Sequence, residues 1–318
     1  MSTMTREEWL AERKKGIGGS DAAAILGISP WSTPVTVWLD KTGRSTPTEP
    51  NHAMRIGTEL EDLVARLYCE NSGRSVQRFN TMLHKGHLLG NIDRLVIPEG
   101  EKVASHMGVV RTDTLLECKT SSRDWEDGVP LYYQTQVQHY MGLTPEVQHA
   151  DVACLFLNRK TFETYRVERD DEVITMMSEK LNAWWEEYVI GDKMPPPTNE
   201  ADCKLLWARS NPGKTITASK EIEEKLKQYN KLKADEKSAK EAAETYKNDI
   251  CAFLENNEVL LGIDGKPILT WKSPSKEKSD TDWEALARSL GATDEQIAKF
   301  TTFSIGGRRF LPKNTKAK

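Results

Sequence analysis

Glu117 and Lys119 stand two residues apart in the run Leu116-Glu117-Cys118-Lys119-Thr120. Side chains on a strand alternate between faces, so this spacing puts the acid and the base on one face and turns Cys118 to the opposite, buried one. Upstream, Gly90-Asn91-Ile92-Asp93 places a second carboxylate on another apolar run. If the two strands pair with Asp93 beside Glu117, the two carboxylates and the backbone carbonyl of Cys118 offer hard oxygen ligands suited to Mg²⁺, with Mn²⁺ as the alternative. Lys119 then stands where it can position or stabilise a water for attack on a phosphodiester. An isolated Glu-x-Lys pair is an ordinary charge pair on a solvated sheet face. Here both runs are apolar and a second acid lies on the neighbouring one, which points to a nuclease.

Those side chains need a scaffold. Residues 5–15 read as a helix opened by a Thr5/Glu8 capping box and closed by Gly16-Ile17-Gly18-Gly19. A short second helix begins at Ser20, its expected N-cap, where free amides and the positive helix end suit a phosphate. Thr58-Glu59-Leu60-Glu61 opens a third helix with an apolar stripe through Leu60, Val64, Leu67 and Tyr68 up to Gly73. In that reading Glu61 also completes a capping box with Thr58. Residues 88–97 and 114–120 are predicted strands, 152–157 with 164–167 a further hairpin, and 131–141 an intervening helix. That helix carries Tyr133, Gln136 and Tyr140 at spacings of three and four, on one face. Met177, Leu181, Trp184, Trp185 and Tyr188 mark a last amphipathic helix ending at Gly191.

Pro195-Pro196-Pro197 cannot continue that helix, so the domain boundary is placed there, with residues 1–197 as the catalytic domain and 198–318 as an extension. Within the extension, residues 220–250 alternate Lys and Glu, as in a solvated helix, a helical hairpin or a coiled-coil arm. Residues 259–271 carry the hairpin turn Asp264-Gly265, and 303–310 read as a strand before a basic tail that includes Arg308 and Arg309. A chain of 318 residues, 38% hydrophobic and 29% charged, is large and apolar enough for two globular domains. Its net charge of −4 means that any nucleic-acid footprint must come from local clustering. Five scattered cysteines without a CxxC pair indicate neither a disulfide framework nor a zinc site. No apolar run reaches membrane-spanning length and residues 1–15 lack a signal-peptide core, so a cytoplasmic location is expected. Pro212-Gly213-Lys214-Thr215 lacks the first glycine of a phosphate loop at the required spacing, which argues against ATP binding.

The order of GIGGSDAAAILGISPW, GTELE, GNIDR, LLECKT and YYQTQVQHYM over residues 10–190 resembles the YqaJ-type viral recombinases, relatives of lambda exonuclease in the PD-(D/E)xK superfamily. The proline that names the superfamily motif is replaced here by Ile92. The resemblance implies an α/β fold with a restriction-endonuclease-like core, a mixed β-sheet flanked by helices, followed by a C-terminal α+β extension with a charged helical arm. It implies a Mg²⁺-dependent phage or prophage exonuclease that degrades the 5′-ended strand of linear duplex DNA and leaves 3′ single strands for recombination by annealing. Asp93, Glu117 and the Cys118 carbonyl would bind the metal, Glu61 would join them from its helix, Lys119 would activate water and Gln136 would help position it. By the same resemblance Arg13 and Ser20 would hold a terminal 5′ phosphate, and Arg123 and Tyr133 would touch DNA. Double-stranded DNA ends, a single-strand annealing protein and a homo-oligomer, as a trimeric ring, are the implied partners, in the cytoplasm of a bacterial host. Two other readings stay open: a structure-selective or restriction-like endonuclease using the same metal site, and a non-catalytic DNA-binding assembly protein working through the charged arm and basic tail.

Overall fold

Four helices precede the sheet in the computed structural model, which describes residues 6–45, 52–273 and 282–301: α1 (Arg6–Arg13), α2 (Gly19–Ile25), α3 (Pro34–Lys41) and α4 (His52–Ser72). Short strands β1 (Val76–Arg78), β2 (Leu83–Lys85), β3 (Leu88–Gly90), β4 (Arg94–Val96), β5 (Ser105–His106) and β6 (Val109–Val110) follow, then the long β7 (Thr114–Ser121). Helix α5 (Leu131–Leu143) connects β7 to β8 (His149–Phe156), which turns back into β9 (Thr161–Glu168). After α6 (Asp171–Trp184), a π-helical turn (Trp185–Ile190) and α7 (Glu200–Leu206) close the first unit.

The central sheet has the order β1-β4-β7-β8-β9. Only β7 and β8 pair in parallel, as a strand–helix–strand crossover through α5 requires, and the other neighbours are antiparallel. This is the mixed α/β core expected from the sequence. Strand alternation divides its side chains between two layers. Leu115 on β7 and Val152 on β8 face α5 with Val137 and Met141, while Leu116, Cys118 and Ala153 face α4 with Val64, Ala65 and Tyr68. Ile92, in the place of the motif proline, is 1% exposed and fills the α5-side core.

Several local expectations change. The apolar run 88–97 is two strands: β3 pairs with β2 while β4 pairs with β1 and β7, and Asn91 to Asp93 lie in the break. Helix α4 starts at His52, so Thr58 is interior and its Oγ1 donates to the Met54 carbonyl instead of capping, which removes the capping-box role for Glu61. The N-cap of α2 is Gly18, whose amide donates to Asp21 Oδ2 at 3.0 Å, so Ser20 sits one residue inside the helix. Thr5, the expected strand 303–310 and the basic tail lie outside the described residues.

The chain divides into units 1–206 and 207–318, so the division falls nine residues beyond the proline run. Asp202 on α7, 1% exposed, accepts from Thr33 Oγ1 at 2.7 Å and from the Thr198 amide and hydroxyl at 2.8 Å, which ties α7 to the start of α3. The second unit holds a single helix of 35 residues, α8 (Lys220–Leu254), an antiparallel hairpin of β10 (Val259–Leu261) and β11 (Pro267–Thr270), and the short helices α9 (Trp283–Ser289) and α10 (Asp294–Lys299).

Candidate active site

Antiparallel pairing of β4 with β7 sets Arg94 opposite Leu116 and Leu95 opposite Leu115. Asp93, one residue before that ladder, therefore reaches Glu117, and its Oδ2 accepts from the Cys118 amide at 2.9 Å. Glu117 is 2% exposed and its Oε1 takes two donors, Lys119 Nζ at 2.6 Å and Gln136 Nε2 at 2.7 Å. Gln136 also accepts from Lys119 at 3.2 Å and donates to the Tyr140 hydroxyl at 3.0 Å. The Lys119 ammonium lies 4.7 Å from the centre of the Tyr133 ring, a cation–π contact that shields it from water.

These groups line one cavity of about 1010 Å³ together with Glu61, Arg13 and Ser20. Of the residues singled out from the sequence, only Arg123 does not line it. That arginine sits in a turn after β7, where its amide donates to Ser121 Oγ at 3.1 Å.

Burial pushes the Asp93 carboxyl well above the usual range, and the neighbouring Glu117 charge adds to the shift. Burial likewise raises Glu117, although Lys119 pulls the other way. Lys119 is pushed upward: burial works against its charge, but the Glu117 and Asp93 carboxylates outweigh that and favour the ammonium form. Glu117 Oε2 is buried and has no hydrogen-bond partner. A bare carboxylate oxygen in such a place is costly, and two acids this close need a cation to ionise together.

The donor set thus fits a hard divalent ion at Asp93 and Glu117. Glu61 is held differently. Its Oε1 accepts from Arg94 Nη1 at 2.8 Å, and among the described residues no three His, Cys, Asp or Glu side chains gather into a ready ligand cluster.

On the cavity wall, Arg13 donates to Ser20 Oγ at 3.1 Å and lies 3.6 Å from Asp21. Lys41, whose side chain is fully buried, meets Asp21 at 2.6 Å and donates to the Arg13 carbonyl at 2.9 Å. Burial alone would raise the Asp21 carboxyl, yet Lys41 and Arg13 hold it below the usual range. The Lys41 ammonium also lies 3.9 Å from Asp40, so two cations face two carboxylates on this wall. Gly19 lets it come close to the acids: a Cβ there would lie 2.8 Å from Tyr140 Cε1 and 2.9 Å from Gln136 Cγ.

Three contributors escaped sequence reasoning. Arg94, directly after Asp93, points to the α4 side and holds both Glu61 and Asp62. His139 is buried, which lowers its pKa, and its Nε2 donates to the Leu89 carbonyl at 2.8 Å just before the strand break. Lys41 lies on α3, far from any motif. For Arg94 and His139 a signal existed, since both stand inside the runs GNIDR and YYQTQVQHYM.

A family model for the YqaJ-like viral recombinase domain matches residues 8–146. The uncharacterized protein YqaJ of Bacillus subtilis (strain 168) is 34% identical over 97% of this chain and 94% of its own length. The chain belongs to the YqaJ-like viral recombinase family. The YqaJ-like match contains every cavity residue named above, from Arg13 to Tyr140. Among solved structures, an alkaline exonuclease from Laribacter hongkongensis is similar over 58% of this chain and 93% of its own, with 22% identity and a TM-score of 0.45. A phage related exonuclease from Haemophilus somnus 129PT is similar over 58% and 99%, with 16% identity and a TM-score of 0.43.

Proposed function

We propose that this YqaJ-like chain is a divalent-metal-dependent exonuclease of the PD-(D/E)xK kind, which digests the 5′-ended strand of linear duplex DNA and leaves a 3′ single strand for phage recombination. The observation that carries this reading is Glu117: a buried carboxylate with one oxygen held by Lys119 and Gln136 and the other bare, beside Asp93. Asp93 and Glu117 would hold Mg²⁺ or Mn²⁺, with Glu61 joining through a change of its Arg94 contact. The ion would supply Lewis acidity toward the scissile phosphate and the attacking water.

The protein's own groups do the rest. Lys119, kept protonated by the two acids, presents a fixed positive charge and hydrogen-bond donors where negative charge develops on phosphate oxygens. Gln136 orients Glu117 and Lys119 at once. Arg13 and Ser20 receive the terminal 5′ phosphate, which fixes the first scissile bond over the acids. Tyr133 shields the ammonium and touches the entering strand, and Arg123 grips the backbone outside the cavity. DNA ends are then the substrate and a single-strand annealing protein the consumer of the product, in a cytoplasmic setting. End-labelled linear DNA and closed circular DNA, each incubated with the protein and Mg²⁺, test this. Label loss from 5′ ends with the circle intact supports it, and cutting of the circle would establish an endonuclease.

A further inference from the structure

Lys41 is the last residue of α3, and its side chain is fully buried. A lysine buried so completely needs partners for its charge. Its two short contacts both bear on Arg13: the ammonium meets Asp21 Oδ2 at 2.6 Å and donates to the Arg13 carbonyl at 2.9 Å. The second contact holds the last residue of α1 at a helix end that favours a cation, and so fixes the backbone from which Arg13 projects. The first decides what Asp21 has left to offer. Oδ2 takes Lys41 and the Gly18 amide, while Oδ1 faces Arg13 at 3.6 Å, beyond hydrogen-bond length. Arg13 therefore leans toward Asp21 without being captured by it, donates to Ser20 Oγ at 3.1 Å and lines the cavity. Asp40, 3.9 Å from the ammonium, has a side chain 45% exposed, so water screens its charge.

We infer that Lys41 sets the choice of DNA end: by occupying Asp21 it keeps Arg13 available to a terminal phosphate. This rests on the 5′-phosphate reading given above and adds to it a residue that never touches the DNA. With two cations facing two carboxylates, net charge cannot select an anion here, and the availability of one guanidinium must. Lys41 is the stronger of the two cations acting on Asp21: burial raises that carboxyl, and Lys41, ahead of Arg13, brings it below the usual range. Without Lys41, Asp21 would be a nearly buried carboxylate with Arg13 as its close cation. A guanidinium takes both oxygens of a carboxylate in a two-bond fork, so Arg13 would close on Asp21 and turn away from the cavity. A terminal phosphate carries a charge of roughly −1.5 to −2 at pH 7 and competes far better for an uncaptured guanidinium than for a captured one. Lys41 is thus a positioning residue that acts through Asp21 and Arg13.

Filter binding of the full-length protein in Ca²⁺, with two duplexes that differ only in a 5′ phosphate or a 5′ hydroxyl, tests it. The readout is the ratio of the two dissociation constants, which a partial loss of folded protein does not move. In the wild type the hydroxyl duplex should bind roughly ten-fold or more weakly than the phosphorylated one. Lys41→Met should bring the ratio to within about three-fold of one, and so should Lys41→Gln, which keeps a donor for the Arg13 carbonyl and is the milder change if the Met variant fails to fold. Adding Asp21→Asn to either variant removes the charge that captures Arg13 but keeps an oxygen for the Gly18 amide, so the ratio should return to within about three-fold of the wild type. Adding Arg13→Ala to the rescued variant should abolish the preference again. A wild-type ratio in the Lys41 variants, or no recovery with Asp21→Asn, would overturn the role of Lys41 and leave the phosphate pocket standing. A ratio of one in the wild type would overturn the pocket and this role together.

Discussion

Gln136 donates to the same oxygen of Glu117 that Lys119 engages, at 2.7 Å and 2.6 Å. Two donors on one oxygen hold the carboxylate in a single orientation and leave its second oxygen for something that is not a hydrogen-bond donor. In a buried site already short of positive charge, a metal ion suits that position better than water.

Metal affinity should therefore be linked to protons. Asp93 and Glu117 have raised pKa values in the folded protein, so the folded state binds their protons more tightly than the unfolded chain does. Their contribution to stability is complete at low pH and is lost as pH rises from the ordinary carboxylate range through the raised folded values. A divalent cation reverses that loss. The rise in Tm on adding Mg²⁺ should be larger at pH 8 than at pH 5, and absent in Glu117→Ala. Equal rises at both pH values in a thermal melt would count against a metal at these acids.

Glu117→Ala should abolish cleavage while the fold survives, because the variant removes a ligand and also relieves repulsion with Asp93. Lys119→Ala should still bind DNA but cleave about 10²–10³-fold more slowly, the usual loss for one donor aimed at developing charge. Filter binding in Ca²⁺ and turnover in Mg²⁺ separate the two effects. Near-wild-type turnover in either variant would sink the assignment.

The close approach of α2 to α5 gives a different test. Gly19→Ala must displace Tyr140 or Gln136, at a cost of roughly 1–3 kcal/mol. Because Gln136 holds both Glu117 and Lys119, kcat should fall further than stability does. A variant that melts early but turns over normally would show that Gln136 need not be held so tightly.

Arg13, on the cavity wall, predicts a preference between DNA ends. A 5′-phosphorylated duplex should be initiated faster than its 5′-hydroxyl counterpart, and Arg13→Ala should shrink the gap by roughly 1.5–3 kcal/mol, about ten-fold to over a hundred-fold in rate. The Arg13 side chain is 37% exposed, so the effect should weaken with salt. Equal initiation on both ends by the wild type would remove the 5′-phosphate pocket while leaving the metal site untouched.

How much of this was legible follows from which contacts are local. The shared face of Glu117 and Lys119 could be read directly, since a period of two survives whatever the strand pairs with. The break at Asn91 to Asp93 could not, because 88–97 is one apolar run by composition and only the competing partners β2 and β7 divide it. Thr58-x-x-Glu61 has the local form of a cap, and it failed because the helix had already started at His52. Arg94 needed knowledge that α4 packs on the face opposite the acids.

The placement of the unit boundary was hidden for a similar reason, since Thr33 and Asp202 are 169 residues apart. A fragment ending at residue 197 discards Asp202 and leaves the Thr33 end of α3 without it. A fragment ending at 206 should melt higher, by an amount corresponding to about 1–3 kcal/mol, and keep nuclease activity. Identical melting of the two fragments would show that α7 contributes nothing to the first unit.

Trp31 and Trp9 stand on the wall of the cavity, and Trp31, 68% exposed, meets Tyr132 edge-on at 4.7 Å. Trp38, Trp125, Trp184 and Trp185 are buried. The molecule thus carries its own optical gauge: whatever enters the cavity changes the polarity around the two wall indoles, against a background of the four buried indoles and of the exposed Trp207, Trp271 and Trp283. Occupancy of the site can be followed by emission wavelength without a label and before any bond is cut.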